Sequence, residues 1–112
     1  MDKRDSWLGE FELLVLMAVL RLGDNAYGMR VRQEIESRTG RIASLGAVYT
    51  TLDRMEAKGY VSSSVGGATP ERGGRAKRFF RLEAAGASAL AQTTRAVRSM
   101  ATGLDESVGG IA

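Results

Sequence analysis

The sequence predicts a mainly α-helical protein with one small β-hairpin, an α+β fold. Apolar residues recur at three- and four-residue spacing, which is typical of amphipathic helices. Two short stretches rich in β-branched and aromatic residues flank a run of glycines and a proline, which is typical of a hairpin. We expect helices at about residues 9–22, 27–38, 45–58 and 83–102, and strands at 60–65 and 77–82. Three helices followed by two strands is the order of a winged helix-turn-helix, here with one more helix added.

The composition disfavours an enzyme. The chain has 112 residues, enough for one domain with a modest core. It contains no cysteine and no histidine, so it has neither a disulfide framework nor the residue that most often serves as metal ligand or general base. Its acidic residues are scattered rather than clustered at metal-ligand spacing. We therefore expect no metal, no cofactor and no catalytic residue.

The first predicted helix, at 9–22, is apolar around most of its circumference, which favours a central, buried position. Its apolar run at 13–20 is too short to span a bilayer, and the acidic residues before it are unlike a signal peptide. We therefore expect a cytoplasmic protein without a membrane segment. Gly23 is predicted to end this helix and Gly40 the next one. The candidate core residues of the second helix are Met29, Val31 and Ile35.

The third predicted helix, at 45–58, has an unusual exposed face. Ser44 is a good N-cap, and the apolar stripe consists of Leu45, Val48, Leu52 and Met55. The opposite face begins with small and hydroxylated residues and an aromatic, where an ordinary solvated face carries long charged side chains. Such a face lets a backbone come close to hydrogen-bond partners such as base edges in a DNA groove. The candidate DNA contacts on this helix are Ser44, Gly46, Ala47, Tyr49, Thr50 and Arg54.

Two of these candidates have an alternative structural role. Tyr49 lies one position from the apolar stripe, so it either contacts DNA or completes the core. Arg54 either contacts nucleic acid or pairs with Asp53 or Glu56 on a solvated face. Trp7 likewise has two interpretations, since an aromatic residue near a terminus is usually an anchor but can also stack on a ligand or a partner chain.

The predicted hairpin carries the excess positive charge of the chain. The net charge is +3, and every basic residue of the hairpin lies between Glu71 and Leu82. These residues are Arg72, Arg75, Lys77, Arg78 and Arg81. A cationic, glycine-rich tip beside the third helix favours contact with the phosphate backbone of DNA, the alternative being a loop that only aids solubility. The candidate wing contacts are Arg72, Gly73, Gly74, Arg75 and Lys77.

The last predicted helix has the pattern of a helix that packs against another helix. Its seam residues recur at alternating three- and four-residue spacing: Ala87, Leu90, Thr94, Val97, Ala101 and Leu104. The helix is alanine-rich and would be weak alone, so its seam has to be covered. We expect dimerisation through this helix, with Trp7 and Phe11 of the partner subunit as a candidate cover. The chain thus divides into a DNA-binding unit at 1–82 and a dimerisation helix with a tail at 83–112.

Four segments resemble those of a short PadR-type transcriptional regulator: residues 9–22, the tripeptide Ala-Tyr-Gly at 26–28, and residues 44–59 and 73–86. The resemblance implies a homodimeric winged-helix repressor of bacterial type that binds an inverted-repeat operator. A small-molecule effector often releases such a repressor. The resemblance places Tyr49 and its neighbours in the recognition helix, and Gly73, Gly74, Arg75 and Lys77 in the wing. The chain departs from many relatives at Thr50, where they have proline, and at Glu83, where they have serine or threonine.

Three classes of function remain for such a chain. A DNA-binding regulator explains the localised charge, the third helix and the paired seam. A winged-helix module that binds only proteins explains the fold but leaves the basic hairpin without a purpose. An enzyme is the weakest hypothesis. The expected partners are therefore double-stranded DNA and a second copy of the chain, with no membrane, and the resemblance adds a small-molecule effector.

Overall fold

The computed structural model, which describes residues 7–66 and 76–104, confirms the predicted fold class: mainly helical, with a two-stranded antiparallel hairpin in a winged-helix arrangement. A single 3-10 turn, Gly23–Asn25, follows the first helix. The helices are α1 (Glu10–Leu22), α2 (Gly28–Thr39), α3 (Leu45–Ala57) and α4 (Ala84–Ala101), and the strands are β1 (Val61–Val65) and β2 (Arg78–Leu82).

Helix α1 lies at the centre of the molecule, as its sequence predicts. It begins where the backbone N–H of Gly9 donates to Glu12 Oε1 at 2.7 Å, so the Glu12 side chain folds back onto the first turn. Val15, Leu16 and Val19 are buried, and the helix packs against α2, α3, α4 and β2. An element that contacts four others has to be apolar on most sides, which is the pattern found at 13–20.

Helices α2 and α3 form the helix-turn-helix. Arg32 Nε donates to the carbonyl oxygen of Ala43 at 2.8 Å, which fastens the short connection between them. The Ser44 hydroxyl accepts the backbone N–H of Ala47 at 3.0 Å, which confirms the predicted N-cap of α3.

The prediction that Met29 is a core residue of α2 is wrong. Val31 and Ile35 are buried, but Met29 is 37% exposed. The buried stripe of α2 starts instead at Gly28, which shares a face with Val31 and Ile35 at three- and four-residue spacing. Met29 is rotated about 100° from Gly28 around the helix axis, and this turns its side chain toward solvent.

The hairpin is attached to the start of α2. Val61 pairs with Leu82 and Val65 with Arg78, and the side chains of Val61 and Phe80 enter the core. On its outer edge, the N–H of Phe80 donates to the carbonyl oxygen of Ala26 at 2.8 Å. The rings of Tyr27 and Phe79 meet edge to face, with centroids 5.6 Å apart. The base of the wing is therefore held by backbone pairing and by aromatic packing.

Helix α4 returns across the molecule to α1. The N–H of Glu83 donates to the carbonyl oxygen of Tyr60 at 2.9 Å, and Gly86 then crosses the same carbonyl at very close range. A Cβ on Gly86 would lie 2.1 Å from Tyr60 O and 2.9 Å from Leu82 Cδ1. Farther along, the Thr93 hydroxyl accepts the N–H of Leu8 at 3.2 Å, which fixes the chain before α1 beside α4.

We predict that Gly86→Ala destabilises the protein by about 1–3 kcal/mol, because the methyl group has to displace a backbone carbonyl and not a mobile side chain. The gain in helix propensity, about 1 kcal/mol, is smaller than this steric cost. Gly46→Ala is the matched control: the nearest atom to its added Cβ is Ser44 Oγ at 4.0 Å, so stability should stay equal or rise slightly.

Urea unfolding measures the stability of both variants. A Gly86→Ala protein as stable as the wild type would contradict the close packing of α4 on Tyr60.

Candidate nucleic-acid interface

The first half of α3 presents a small-residue surface. Ser44, Gly46, Ala47 and Thr50 are all exposed and lie in the first two turns of the helix. The unpaired N–H groups of a helix N-terminus and its partial positive charge favour phosphate or other acceptors there. With side chains this short, the helix backbone can approach a partner surface closely, and the Thr50 hydroxyl can both donate and accept a hydrogen bond.

The packing role suggested for Tyr49 is present in the structure. Its ring is half-buried against the core. It lies over Gly28, where a Cβ would come within 2.4 Å of the ring carbon Cζ. The absence of a side chain at position 28 therefore makes room for the hydroxyl end of the ring.

Arg54 is held within the chain, by a partner that the sequence did not suggest. Its Nε donates to Glu12 Oε2 at 3.0 Å, whereas Asp53 and Glu56 were the expected partners. Partial burial raises the pKa of Glu12, but the hydrogen bonds from the Gly9 N–H and from Arg54 outweigh burial, so that pKa lies below its ordinary value of 4.5. The ion pair links α3 to α1, and the Arg54 side chain remains half exposed.

Arg78 at the start of β2 is also held within the chain. Its Nη1 donates to Asp53 Oδ1 at 2.8 Å, its Nη2 to Glu56 Oε1, and its Nε to the Ser63 hydroxyl at 3.2 Å. Ser63 in turn donates to Glu56 Oε2 at 2.7 Å. The hydrogen bond from Ser63, and then that from Arg78, lower the pKa of Glu56 against the opposing effect of burial. The sequence had grouped Arg78 with the free charges of the hairpin, but in the structure two carboxylates neutralise it.

The remaining hairpin cations are distributed differently. Lys77 is exposed, with its Nζ 4.3 Å from the centroid of the Tyr27 ring, a cation–π geometry that leaves the ammonium group open to solvent. Arg81 is exposed on the face of the hairpin that points away from α3. Four predicted wing residues lie outside the described residues: Arg72, Gly73, Gly74 and Arg75.

One exposed residue near this surface was missed by sequence reasoning. Ile42 is 74% exposed and lies two residues before Ser44, in the connection that leads into α3. The sequence did offer a sign of this exposure, because Ile42 belongs to no apolar stripe. Beside a DNA groove, an exposed aliphatic side chain is suited to the methyl group of thymine.

The model of the transcriptional regulator PadR-like family matches residues 16–92, which include α2, α3 and the whole hairpin. The chain belongs to this family. A PadR family transcription regulator from hypervirulent Clostridium difficile has a similar structure, with a TM-score of 0.72 and 22% identity over 89% of this chain and 99% of that one. A PadR-like transcriptional regulator from Bacillus cereus gives a TM-score of 0.66 with 14% identity, over 88% of this chain and 90% of that one.

A similar arrangement also occurs in the structure of the Aeropyrum pernix Orc1 protein in complex with DNA. There the TM-score is 0.62 with 23% identity, over 81% of this chain and 26% of that one. A comparison with curated proteins gave no significant match. In the part of the chain that the structure describes, no helix is long and apolar enough to cross a membrane, and no cluster of acidic residues could hold a metal ion.

A second surface of this PadR-family chain is apolar and lies on α4. Val97 is 54% exposed and Met100 is 78% exposed, and Leu104 and Trp7 are also open to solvent. Ala87 and Ala101 are exposed and Thr94 is partly so, as an intermolecular seam requires. Leu90 differs, because it is only 7% exposed and packs in the core of its own chain. Phe11 is half-buried, with the guanidinium group of Arg41 5.0 Å from its ring centroid. The large apolar side chains of the seam that are open to solvent therefore lie toward the end of α4 and just beyond it.

We predict that Glu12→Gln lowers stability in a pH-dependent way. Because the native pKa of Glu12 lies below 4.5, its carboxylate stabilises the folded state fully above about pH 4.5, and this contribution is lost as the pH falls through the lowered value. The variant should be less stable than the wild type by up to about 1 kcal/mol near neutral pH, since Arg54 is half exposed, and equal to it at low pH.

Glu10→Gln is the control, because Glu10 is largely exposed and its ion pair with Arg41 lies at the surface. Its effect on thermal unfolding should be close to zero. If the difference between Glu12→Gln and the wild type did not depend on pH, the charged link between α1 and α3 would have no energetic role.

Proposed function

We propose that this PadR-family chain is a sequence-specific DNA-binding transcriptional regulator that represses its target by binding an inverted-repeat operator as a homodimer. The observation that carries the proposal is the exposed surface of small and hydroxylated residues on α3, next to a cationic hairpin. Regulation of transcription is the function of the family. Such a protein acts where the chromosome is, so we expect it in the cytoplasm of a bacterium, on the nucleoid when bound.

In this proposal α3 enters the major groove. Gly46 and Ala47 let the helix backbone approach the base edges, and Tyr49 and Thr50 offer hydroxyl groups that read them. Ser44 and the first turn of α3 lie where a backbone phosphate would be bound. Lys77, together with Arg72, Gly73, Gly74 and Arg75, would bind phosphates beside the groove, which adds affinity but no sequence information. Arg54 would approach DNA only with the part of its side chain that Glu12 leaves exposed.

The homodimer is supported by the apolar surface at the end of α4. One winged helix of this size covers a single half-site, and two copies related by a twofold axis are needed to bind an inverted repeat tightly. Val97, Met100 and Leu104, with Trp7 nearby, offer the self-complementary apolar patch that such an interface requires. A small-molecule effector would release the operator by changing the spacing of the two α3 helices at this interface.

A module that binds only proteins is the second candidate. The observation that favours it is the pairing of Arg54 and Arg78 within the chain, which removes two cations from a DNA-binding surface. The two functions differ in salt dependence. Binding to phosphates releases counterions, so the affinity for duplex DNA should fall steeply as salt rises, whereas a protein-only module would show no affinity for DNA to lose.

We predict that Thr50→Ala weakens binding to a specific duplex by about fivefold to tenfold, the lower range for loss of one base contact, and leaves binding to a scrambled duplex unchanged. The specific duplex is selected in vitro from a random pool with the wild-type protein. Ser88→Ala, which removes an exposed hydroxyl group from α4, is the matched control and should bind both duplexes normally. Fluorescence anisotropy measures the affinity of the wild type and of both variants for each duplex. Equal losses of Thr50→Ala on both duplexes would remove α3 from sequence recognition.

We predict that Val97→Asp combined with Met100→Asp splits the dimer, because it puts charge into an apolar contact. Analytical ultracentrifugation should show a dimeric wild type and a folded, monomeric variant. The affinity of the variant for the operator should fall by about a hundredfold or more, since the second half-site no longer assists the first.

Ser99→Asp adds charge at an exposed position of the same helix and should leave the dimer intact. Leu90 is not a suitable site for this test, because aspartate at a position inside the core would unfold the chain itself. A wild type that is monomeric at micromolar concentration, or a double variant that still dimerises, would refute the proposed interface.

A further inference from the structure

We propose that Arg78 is a positioning residue that sets the direction of the wing relative to the recognition helix, and that it does not bind a DNA phosphate. Sequence discrimination would then depend on four side chains, here called the Arg78 network: Asp53, Glu56, Ser63 and Arg78. The inference rests on the proposed DNA-binding function, and it says what holds the hairpin in position relative to α3.

The Arg78 network lies at the end of the hairpin from which the wing departs. Arg78 is the first residue of β2 and pairs with Val65, the last residue of β1. One further hydrogen bond, from the N–H of Gly66 to the carbonyl oxygen of Lys77 at 2.6 Å, continues the ladder beyond this pair. Arg78 therefore lies one residue from Lys77, close to the last described hydrogen bond of the hairpin. A rotation of this end of the hairpin would move Lys77 relative to α3.

Each nitrogen atom of the Arg78 guanidinium group donates a hydrogen bond, although the side chain is partly exposed. Its three nitrogen atoms donate to Asp53, Ser63 and Glu56, so both a strand residue and two residues of α3 accept from one rigid group. Its flat face lies over Phe80, with its central carbon 4.7 Å from the ring centroid. Phe80 is a core residue. The guanidinium group therefore lies between the core and the two acidic residues near the C-terminal end of α3.

The charge of the Arg78 network argues against a phosphate contact. Two carboxylates surround one guanidinium group, which leaves the cluster with one negative charge in excess. A phosphate that approached Arg78 would be repelled by the carboxylates of Asp53 and Glu56 and would have to compete with them for the guanidinium donors. Within residues 7–66 and 76–104, no carboxylate forms an ion pair with Lys77, the preceding residue, and its side chain faces solvent, so Lys77 is the residue suited to a phosphate.

A planar fork is needed for this arrangement. Arginine presents donors in a fixed plane that can reach two carboxylates while its face stacks on an aromatic ring, whereas lysine offers one compact ammonium group on a flexible chain. Arg78→Lys therefore keeps the charge but loses the geometry. A phosphate contact depends mainly on the charge, and a positioning role depends on the geometry, so this conservative variant separates the two.

The experiment compares Arg78→Lys, Arg78→Met and Lys77→Met in the full chain. The probes are a duplex selected in vitro by the wild-type protein and a scrambled duplex of the same length, each titrated over a range of salt concentrations. We expect Arg78→Lys to lose about tenfold on the selected duplex, as for loss of one base contact, and little on the scrambled one, with the wild-type salt slope. Arg78→Met should lose at least as much on the selected duplex and a smaller amount on the scrambled one, because it also leaves two carboxylates unpaired, and its salt slope should stay close to that of the wild type. Lys77→Met should lose affinity on both duplexes, and its slope should fall by about 0.9.

A double variant, Asp53→Ala with Glu56→Ala, disrupts the same network with the opposite change in charge. It removes two negative charges beside the proposed interface, so electrostatics alone predicts tighter binding to every duplex. We expect tighter binding to the scrambled duplex only, and weaker binding to the selected one, because Arg78 has lost its partners. Circular dichroism and thermal unfolding check that each variant is folded; the network is partly exposed, and alanine suits a helix.

Two results would overturn the inference. If Arg78→Met lowered the salt slope by about one unit and Arg78→Lys restored both slope and affinity, Arg78 would be a phosphate ligand. If all Arg78 network variants discriminated between the duplexes as the wild type does, the network would have no part in recognition. The proposed function fails separately, when the wild-type protein selects no duplex from the pool.

Discussion

The burial of α1 is the constraint on which the rest of the structure depends. A chain of 112 residues can build only one modest core, and here that core is arranged around one helix with Val15, Leu16 and Val19 fully inside. Because α2, α3, α4 and β2 all pack on α1, the position of each is set relative to the same axis. Helix α3, strand β2 and helix α4 are thus all positioned by contacts with the same central helix.

Polar contacts further restrict the position of α3, which the core packing alone does not fix completely. The core buries Val48, Leu52 and Met55 of α3, but a helix held by one apolar stripe can still roll about its axis. Glu12 binds Arg54 on one side of α3, and Arg78 binds Asp53 and Glu56 on another. These partly exposed ion pairs contribute little to the free energy of unfolding, of the order of 1 kcal/mol each at most. Their value lies in geometry, since together they oppose rotation of the face that carries Thr50.

The elements of the fold could be predicted because they are encoded locally. The cap at Ser44, the apolar stripe of α3 and the β-branched and aromatic strands each depend on residues within a few positions of one another. Met29 shows the limit of this reasoning, since an apolar residue one position from the stripe satisfies a count of apolar residues but faces solvent. Leu90 shows another limit. Its spacing indicates that a helix covers it, but not that the helix is α1 of the same chain.

The site was predicted less completely, for a related reason. The small residues at the start of α3 can be recognised from composition, but the partners of a charged side chain cannot. Arg54 and Glu12 are 42 residues apart, and Arg78 and Asp53 are 25 apart, so no local pattern indicates that they meet. Counting charges along the hairpin therefore overestimated the cations that are free to bind DNA. Only the fold shows that Arg78 pairs with two carboxylates of α3, whereas Lys77 faces solvent.

Amide chemical-shift mapping on the selected duplex tests the central claim most directly, because it locates the bound surface without changing any residue. If α3 is the recognition helix, the largest shifts on adding DNA will fall on the amides of residues 44–50 and on Lys77, while the exposed amides at the far end of α2, such as Ser37, stay unchanged. Shifts confined to α2 or α4, with residues 44–50 unperturbed at saturating DNA, would contradict the account.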